Sequence, residues 1–484
     1  MDSKSHQLHI YFFPMMAQGH MIPTVDMARL FSRHGVKSTI IMTPLNAPLF
    51  SKTIERDSQL GIEIGIRQIK FPSVEVGLPE GCENLTSITS PEMAPKFYKA
   101  IDLLQQPFEQ LLEKDRPDCL VADMFFPWAT EVAGKLGIPR LVFHGTSFFA
   151  LCVHYSIFHQ KPYKSVKSDS EAFIVPDLPD TIKLTRGQLP DFVRDGTENY
   201  VTKLLEEALK SELTSYGVIV NSFHELEPAY SEHYRKVVGR KAWHIGPVSL
   251  CNSDNEDKAR RGNKASVDEQ ECLSWLDSNK PNSVLYVCFG SGSLFSTAQL
   301  FEIAMGLEAS GQQFIWVVRK EKRNEEEEEE WMPKGFEKRM EGKGLIIRGW
   351  APQVLILDHE AVGGFMTHCG WNSLLEGMTA GLPMVTWPIF AEQFYNEKLV
   401  TDVLRIGVGV GAQEWSRWTD DNKVSVKRED IEKAVTQLVV GEEAEKMRIR
   451  ARVFQDMARS AVEEGGSSYS DLNALLEELR FNRP

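Results

Sequence analysis

Residues Gly363 to Trp387 read GGFMTHCGWNSLLEGMTAGLPMVTW. The run opens on a short apolar stretch, GGFMTH (363–368), of the kind that forms a buried parallel strand. A turn containing Gly370 follows, then a helical pattern from about Trp371 to Gly381. It closes on a second apolar strand, PMVTW (383–387). Strand, helix and strand in that order make a βαβ unit, and the rhythm repeats on both sides of it.

Upstream of this unit, SVLYVCFG (283–290), QQFIWVVR (312–319) and GLIIRGW (344–350) read as further strands, with TAQLFEIAMGLEAS (297–310) as an intervening helix. Another series begins near the N-terminus with HIYFFPM (9–15), STIIMT (38–43), CLVADM (119–124), RLVFHG (140–145) and GVIVNS (217–222). After its first strand, Ile22, Val25, Ala28, Arg29 and Phe31 carry a helical period, with Pro23 near the helix start. Between the two series lies CNSDNEDKARRGNKAS (251–266), polar, charged and poor in apolar residues. It reads as a linker or loop. The expected architecture is α/β, with two doubly wound domains facing a cleft, a common place for ligands. The first domain is expected over residues 1–250 and the second over 267–460. A final segment, 461–484, contains the amphipathic pattern SSYSDLNALLEELR (467–480), expected to pack back toward the first domain.

With 42% apolar and 25% charged residues, the composition is that of a soluble globular protein. A net charge of −14 argues against nucleic acid or an anionic membrane as the main partner. The seven cysteines are scattered and form no C-x-x-C, so a disulfide framework or structural zinc site is not expected. The N-terminus lacks the profile of a cleavable signal, and no run approaches the roughly 20 apolar residues of a membrane span. A cytoplasmic location is expected. Six adjacent glutamates, Glu325 to Glu330, read as a solvated loop rather than a metal site.

Chemistry gathers at the carboxyl ends of strands, where open α/β sheets bind ligands. His368 ends GGFMTH, and the helix that follows offers backbone N–H groups to an anion, with Gly370 permitting close approach and Asn372 and Ser373 adding donors. A competing reading is helix capping, since Ser373-Leu-Leu-Glu376 matches a capping box and Asn372 can also cap. Trp350 and Gln353 follow GLIIRG, where an indole can stack on a base. Glu376 can accept from ribose hydroxyls, and Glu392 with Gln393 suit the hydroxyls of a sugar. The loop FGSGS (289–293) offers Ser291, Ser293 and N–H groups to a diphosphate. It fits neither G-x-G-x-x-G nor the P-loop, which weakens dinucleotide and ATPase readings. G-x-S-x-G and H-E-x-x-H are absent. In the first series, His20 follows the first strand and Asp123 ends CLVAD. A neutral imidazole is a good base at cellular pH, and a carboxylate on its Nδ1–H fixes its tautomer. Met15, Met16, Phe125, Phe126, Phe143, Phe148 and Phe149 lie at or beyond strand ends and are candidates for an apolar acceptor pocket.

Together these residues resemble the plant family 1 UDP-glycosyltransferases. The stretch Trp350–Gln393 matches their signature box nearly end to end, and MAQGHMIP (16–23), LVADMF and FGS match as well. Details such as WAPQVLILDHEAVGGF and FAEQFYNEKLVTDVL most resemble the group numbered 73. The resemblance implies a GT-B fold, with acceptor mainly in the first Rossmann-like domain and UDP-sugar mainly in the second. It implies an inverting transfer without metal or cofactor, and a monomer. His20 is then the base and Asp123 its partner. Trp350 stacks on uracil near Gln353, and Glu376 binds ribose. His368, Asn372, Ser373 and Ser291 contact the diphosphate; Trp371, Glu392 and Gln393 contact the sugar. Glutamine at position 393 goes with glucose in this family, so UDP-glucose is the expected co-substrate. Flavonoids, other phenolics, and triterpenoid or steroid aglycones are the expected acceptors. Another UDP-sugar, or a non-catalytic binding protein of the same fold, is the alternative.

Overall fold

The computed structural model describes residues 7–319, 331–416 and 423–481; the acidic run Glu325–Glu330 lies outside them. The strands in chain order are β1 (His9–Phe13), β2 (Lys37–Met42), β3 (Ile64–Gln68), β4 (Cys119–Asp123), β5 (Arg140–Phe143), β6 (Ala172–Val175), β7 (Ile182–Thr185), β8 (Gly217–Val220) and β9 (Ala242–His244). They continue as β10 (Val284–Cys288), β11 (Gln313–Val318), β12 (Gly344–Arg348), β13 (Val362–Thr367), β14 (Met384–Thr386) and β15 (Gly407–Gly409).

Two parallel sheets result, ordered β3-β2-β1-β4-β5-β8-β9 and β12-β11-β10-β13-β14-β15. Each runs outward from its first strand and then reverses, which is the doubly wound order of a Rossmann-like sheet. The reversal falls between β1 and β4 in one sheet and between β10 and β13 in the other. Such reversals open a crevice at the strands' carboxyl ends, because the following helices lie on opposite faces of the sheet. β6 and β7 form a separate antiparallel hairpin.

Every strand expected from an apolar run is present. Those not foreseen are β3, β9, β15 and the hairpin. β3, β9 and β15 are sheet edges, where one flank has no neighbouring strand and the continuous apolar signature is shorter or weaker.

The chain divides into two compact units. One comprises residues 1–148, 197–253 and 460–484; the other comprises 149–196 and 254–459. The sequence reading ran the first domain unbroken to residue 250, whereas residues 149–196, with the hairpin, fall in the second unit. In the first unit, Ile10 and Phe12 of β1, Ile40 of β2 and Val121 of β4 share a core with Phe31 of the helix Gln18–Arg33. Leu472, Leu475, Leu476 and Leu479 of the last helix, Ser467–Phe481, enter the same core. The second unit builds its core from Leu285, Val287, Trp316 and Met366 against Ile303, Leu307, Ile431 and Val435. Burying a side chain of this size contributes about 1.5–3 kcal/mol, which is why the central strands read so clearly as apolar runs.

The expected linker is structured. Asn255–Ala259 is a short helix capped by the Asp254 carboxylate, which accepts the Asp257 N–H at 2.8 Å. Lys258 pairs with Asp358 at 2.7 Å within the second unit. Among the described residues no helix is long and apolar enough to cross a membrane.

Candidate active site

In the first unit, the turn after β1 starts the helix Gln18–Arg33 and puts His20 in its first turn. Asp123 ends the adjacent strand β4. The reversal of strand order brings the two together: His20 Nδ1 lies 2.6 Å from Asp123 Oδ2. A carboxylate only accepts, so Nδ1 carries the proton and Nε2 is left with its lone pair. The other carboxylate oxygen accepts the Phe125 N–H at 3.1 Å, which fixes the carboxylate plane. Buried Arg140 donates to the Asp123 carbonyl at 2.9 Å, and burial lowers its pKa to about 10. Asp123 is fully enclosed while the His20 side chain keeps 23% of its surface exposed, so the imidazole alone can meet a substrate.

The ring of His20 meets the edge of Phe125, with centroids 5.6 Å apart. From Phe125 a row of aromatic rings continues through Tyr98 at 6.1 Å to Tyr200 at a further 5.9 Å. The Tyr200 hydroxyl donates to Asp102 at 2.5 Å. Tyr98 and Tyr200 were not singled out from sequence, because neither lies at a strand end. Of the seven expected acceptor-pocket residues, Phe125 is half-buried beside His20. Met15, Met16, Phe126, Phe143, Phe148 and Phe149 are buried. Phe126 stacks on Phe13 at 4.1 Å, and Phe148 packs on Tyr234 and His244.

In the second unit the turn after β13 brings His368 against the loop after β10. A Cβ on Gly290 would stand 2.5 Å from the His368 ring, and one on Gly370 would stand 2.4 Å from it. Only glycine fits on either side, and Gly290 also has a φ of +72°. His368 remains partly open to solvent, yet the packing drives its pKa down to about 4 by desolvation. The ring is therefore neutral near pH 7, and its Nδ1 has no protein partner. Cys369 next to it has a φ of +65°, uncommon and strained for a side-chain-bearing residue.

The helix Trp371–Thr379 begins at Gly370 with no side-chain cap. Ser373 and Glu376 do not form a capping box. Ser373 Oγ instead accepts from Gln353 Nε2 at 3.1 Å, and Gln353 Nε2 also donates to Glu376 Oε2 at 2.7 Å. The other Glu376 oxygen is paired with Arg261. No side chain caps this helix start. Ser293, on the glycine loop after β10, is buried with a hydroxyl that has no protein partner. Ser291 is half-buried, and its carbonyl accepts from Arg319. Trp371 is nearly fully buried. Trp350 is half-buried at the end of β12, its indole N–H without a protein partner.

Gln393 opens the helix Gln393–Lys398. Its Oε1 accepts the N–H groups of Ile389 and Phe390, both at 2.9 Å, leaving its amide NH₂ to donate. Asn396 Nδ2 donates to the Cys369 carbonyl at 2.9 Å and to Glu392 Oε1 at 3.1 Å. That one amide ties the Glu392 loop to the His368 turn. Sequence reading missed Asn396 and Arg261. Asn396 sits one turn inside a helix, and Arg261 lies in the segment read as a linker.

A neutral imidazole between two glycines, an uncapped helix start and a carboxylate held by Gln353 and Arg261 suit a nucleotide diphosphate. The family model described as UDP-glucoronosyl and UDP-glucosyl transferase matches residues 103–443. The chain belongs to this family. The glycosyltransferase is 61% identical to scopoletin glucosyltransferase of Nicotiana tabacum, over 98% of each chain. It is 58% identical to UDP-glucose flavonoid 3-O-glucosyltransferase 7 of Fragaria ananassa, over 99% of this chain and 98% of that one. The crystal structure of Glycyrrhiza uralensis UGT73P12 complexed with glycyrrhetinic acid 3-O-monoglucuronide is similar at a TM-score of 0.92 and 46% identity, covering 98% of this transferase and 96% of that chain. The two doubly wound sheets of the transferase are those of the GT-B fold, and its relatives place it with the group numbered 73.

Proposed function

We propose that this glycosyltransferase moves glucose from UDP-glucose to a hydroxyl of an aromatic small molecule, giving a β-glucoside. The reading rests on one observation above all: His20 Nδ1 held 2.6 Å from Asp123 Oδ2 while the imidazole stays accessible. That arrangement makes Nε2 a general base. The acceptor O–H gives its proton to Nε2, and its oxygen forms a bond to C1 of the α-linked sugar from the opposite face. The C1–O bond to the diphosphate breaks, and the electron pair leaves with UDP. Asp123 stabilises the imidazolium that forms.

The second unit supplies the groups for the donor. Trp350 offers a face to uracil and Glu376 acceptors to ribose. His368, Ser291, Ser293, Asn372, Ser373 and the helix start meet the diphosphate. Glu392 and the Gln393 amide meet the sugar. Donors already aimed at a growing negative charge favour UDP departure with little reorganisation, so no metal is required in this scheme. The row Phe125, Tyr98 and Tyr200 beside the base favours a flat acceptor, in keeping with relatives named for scopoletin and flavonoid. Seven free cysteines fit a reducing compartment, and we place the enzyme in the cytoplasm.

A screen with UDP-glucose against coumarins, flavonoids and triterpenoid aglycones, read by product mass, tests this. The expected product is a phenolic acceptor plus one hexose. Transfer only to non-aromatic acceptors, or only from UDP-galactose or UDP-glucuronic acid, would refute the assigned substrates. Absence of any product would support a non-catalytic binding protein. Activity is expected to survive EDTA; loss restored by Mg²⁺ or Mn²⁺ would contradict the metal-free scheme.

A further inference from the structure

Glu376 is 5% exposed, and a carboxylate so enclosed is costly unless cationic or hydrogen-bonding partners surround it. One oxygen is held by Gln353 at 2.7 Å. The other is held by the Arg261 guanidinium, whose side chain is 9% exposed. Arg261 belongs to the polar segment between β9 and β10, where composition suggests only a connector. Besides the Arg261 pair, that segment is anchored at two places within the second unit. Asp254 caps its short helix, and Lys258 binds Asp358 at 2.7 Å. At its far end Ser266 and Trp350 exchange two bonds: Ser266 N–H to the Trp350 carbonyl at 2.8 Å, and Trp350 N–H to Ser266 Oγ at 2.9 Å. The approach is so close that a Cβ on Gly349 would stand 2.2 Å from Ser266 Oγ.

We propose that Arg261 is a positioning residue of the donor site, orienting Glu376 toward the ribose hydroxyls of the UDP-sugar. The proposal rests on the reading of Glu376 as the ribose acceptor. The segment 254–266 then braces the nucleoside end of the pocket twice, at the carboxylate through Arg261 and at the indole through Ser266. With Arg261 removed, Gln353 alone holds Glu376. The carboxylate then loses its fixed plane, and its hydroxyl contacts weaken. A guanidinium on a buried carboxylate is a charge-assisted interaction, among the stronger hydrogen bonds of proteins. Lysine keeps the charge but not the fork, so it should restore function only in part.

The test compares UDP-glucose with its 2′,3′-dideoxyribose analogue in wild type, Arg261→Ala and Arg261→Lys. Wild type should prefer UDP-glucose about 100-fold in kcat/KM, as expected when a site built for hydroxyls meets a donor lacking them. Arg261→Ala should lose about 30-fold with UDP-glucose, mostly in donor KM, but less than about 3-fold with the analogue, with acceptor KM unchanged. Arg261→Lys should recover part of the loss. Equal losses on both donors would show a merely structural role and overturn the proposal. A wild type that does not distinguish the donors would instead refute the ribose role of Glu376 itself. If Arg261→Ala does not fold, Arg261→Gln carries the same comparison.

Discussion

His20 and His368 lie on opposite sides of the reversal in their two sheets: His20 follows β1, the first strand of its sheet, whereas His368 follows β13, the counterpart of β4. Each lies just beyond a strand's carboxyl end, at the point where strand order reverses. Their surroundings differ in kind. His20 has a buried carboxylate on Nδ1 and a side chain that stays partly exposed. His368 is pressed between Gly290 and Gly370, and desolvation takes its pKa to about 4. In the proposed reaction the first takes up a proton, favoured by the carboxylate beside it. The second stays neutral near pH 7 and serves as a hydrogen-bonding surface. Two imidazoles near the carboxyl edges of doubly wound sheets thus differ through their neighbours, one beside a carboxylate and one pressed between glycines.

The largest effect should come from breaking the first member of that pair. His20→Ala is expected to lower kcat by about 10³-fold, within the range of general-base contributions, while UDP affinity measured by calorimetry stays unchanged. Near-wild-type turnover would remove the base assignment. Next, Gly370→Ala places a methyl against the His368 ring, with Gly290→Ala as its counterpart. Either should raise the KM for UDP-glucose by about tenfold or more with little change in acceptor KM, since the clash lies wholly in the second unit. An unchanged donor KM would mean the loop yields without cost. Gln393→His removes the carbonyl that holds the Ile389 and Phe390 N–H groups. The ratio of glucose to galactose transfer should fall by about tenfold, read from competing donors, and an unaltered ratio would take Gln393 out of the sugar site.

The smallest effect concerns stability. His368 has its pKa lowered to about 4 from an ordinary 6.5, so the folded state binds fewer protons than the unfolded one between those values. Stability contributed there is present above pH 6.5 and lost as pH falls toward 4. Glu397 is pushed the other way, to about 7 from 4.5, by burial. Its contribution is present at low pH and lost as pH rises from 4.5 to 7. Each is worth up to about 3 kcal/mol, by the conversion of pKa shift to free energy. In thermal melts, His368→Asn should flatten the decline below pH 6.5, and Glu397→Gln should flatten the one between pH 4.5 and 7. Unchanged pH profiles in both variants would show that neither group is as desolvated as its packing indicates.

The central strands and the residues at their ends were legible because burial on both faces demands apolar runs, and chemistry sits where those runs stop. His20, Asp123 and His368 could be found in that way. Arg261, Asn396, Tyr98 and Tyr200 could not. Arg261 is a charged residue in a polar segment, with a partner over a hundred residues later. Asn396 is one polar residue of a helix start, and the two tyrosines belong to helices far apart in the chain. Of the residues expected to line an acceptor pocket, Phe125 lies beside His20 and the other six are buried. An apolar residue at a strand end serves a core or a pocket equally well, and only packing shows which.

Local pattern in the sequence was enough for the two doubly wound sheets and the family. These follow from local periodicity and from motifs contiguous in the chain. Tertiary structure alone decided the state of each group. It set His20 beside Asp123, closed glycines around His368, left the helix start at Trp371 uncapped and turned a supposed linker into a brace for Glu376. Those outcomes depend on distances between residues remote in sequence, on which a local pattern carries no information.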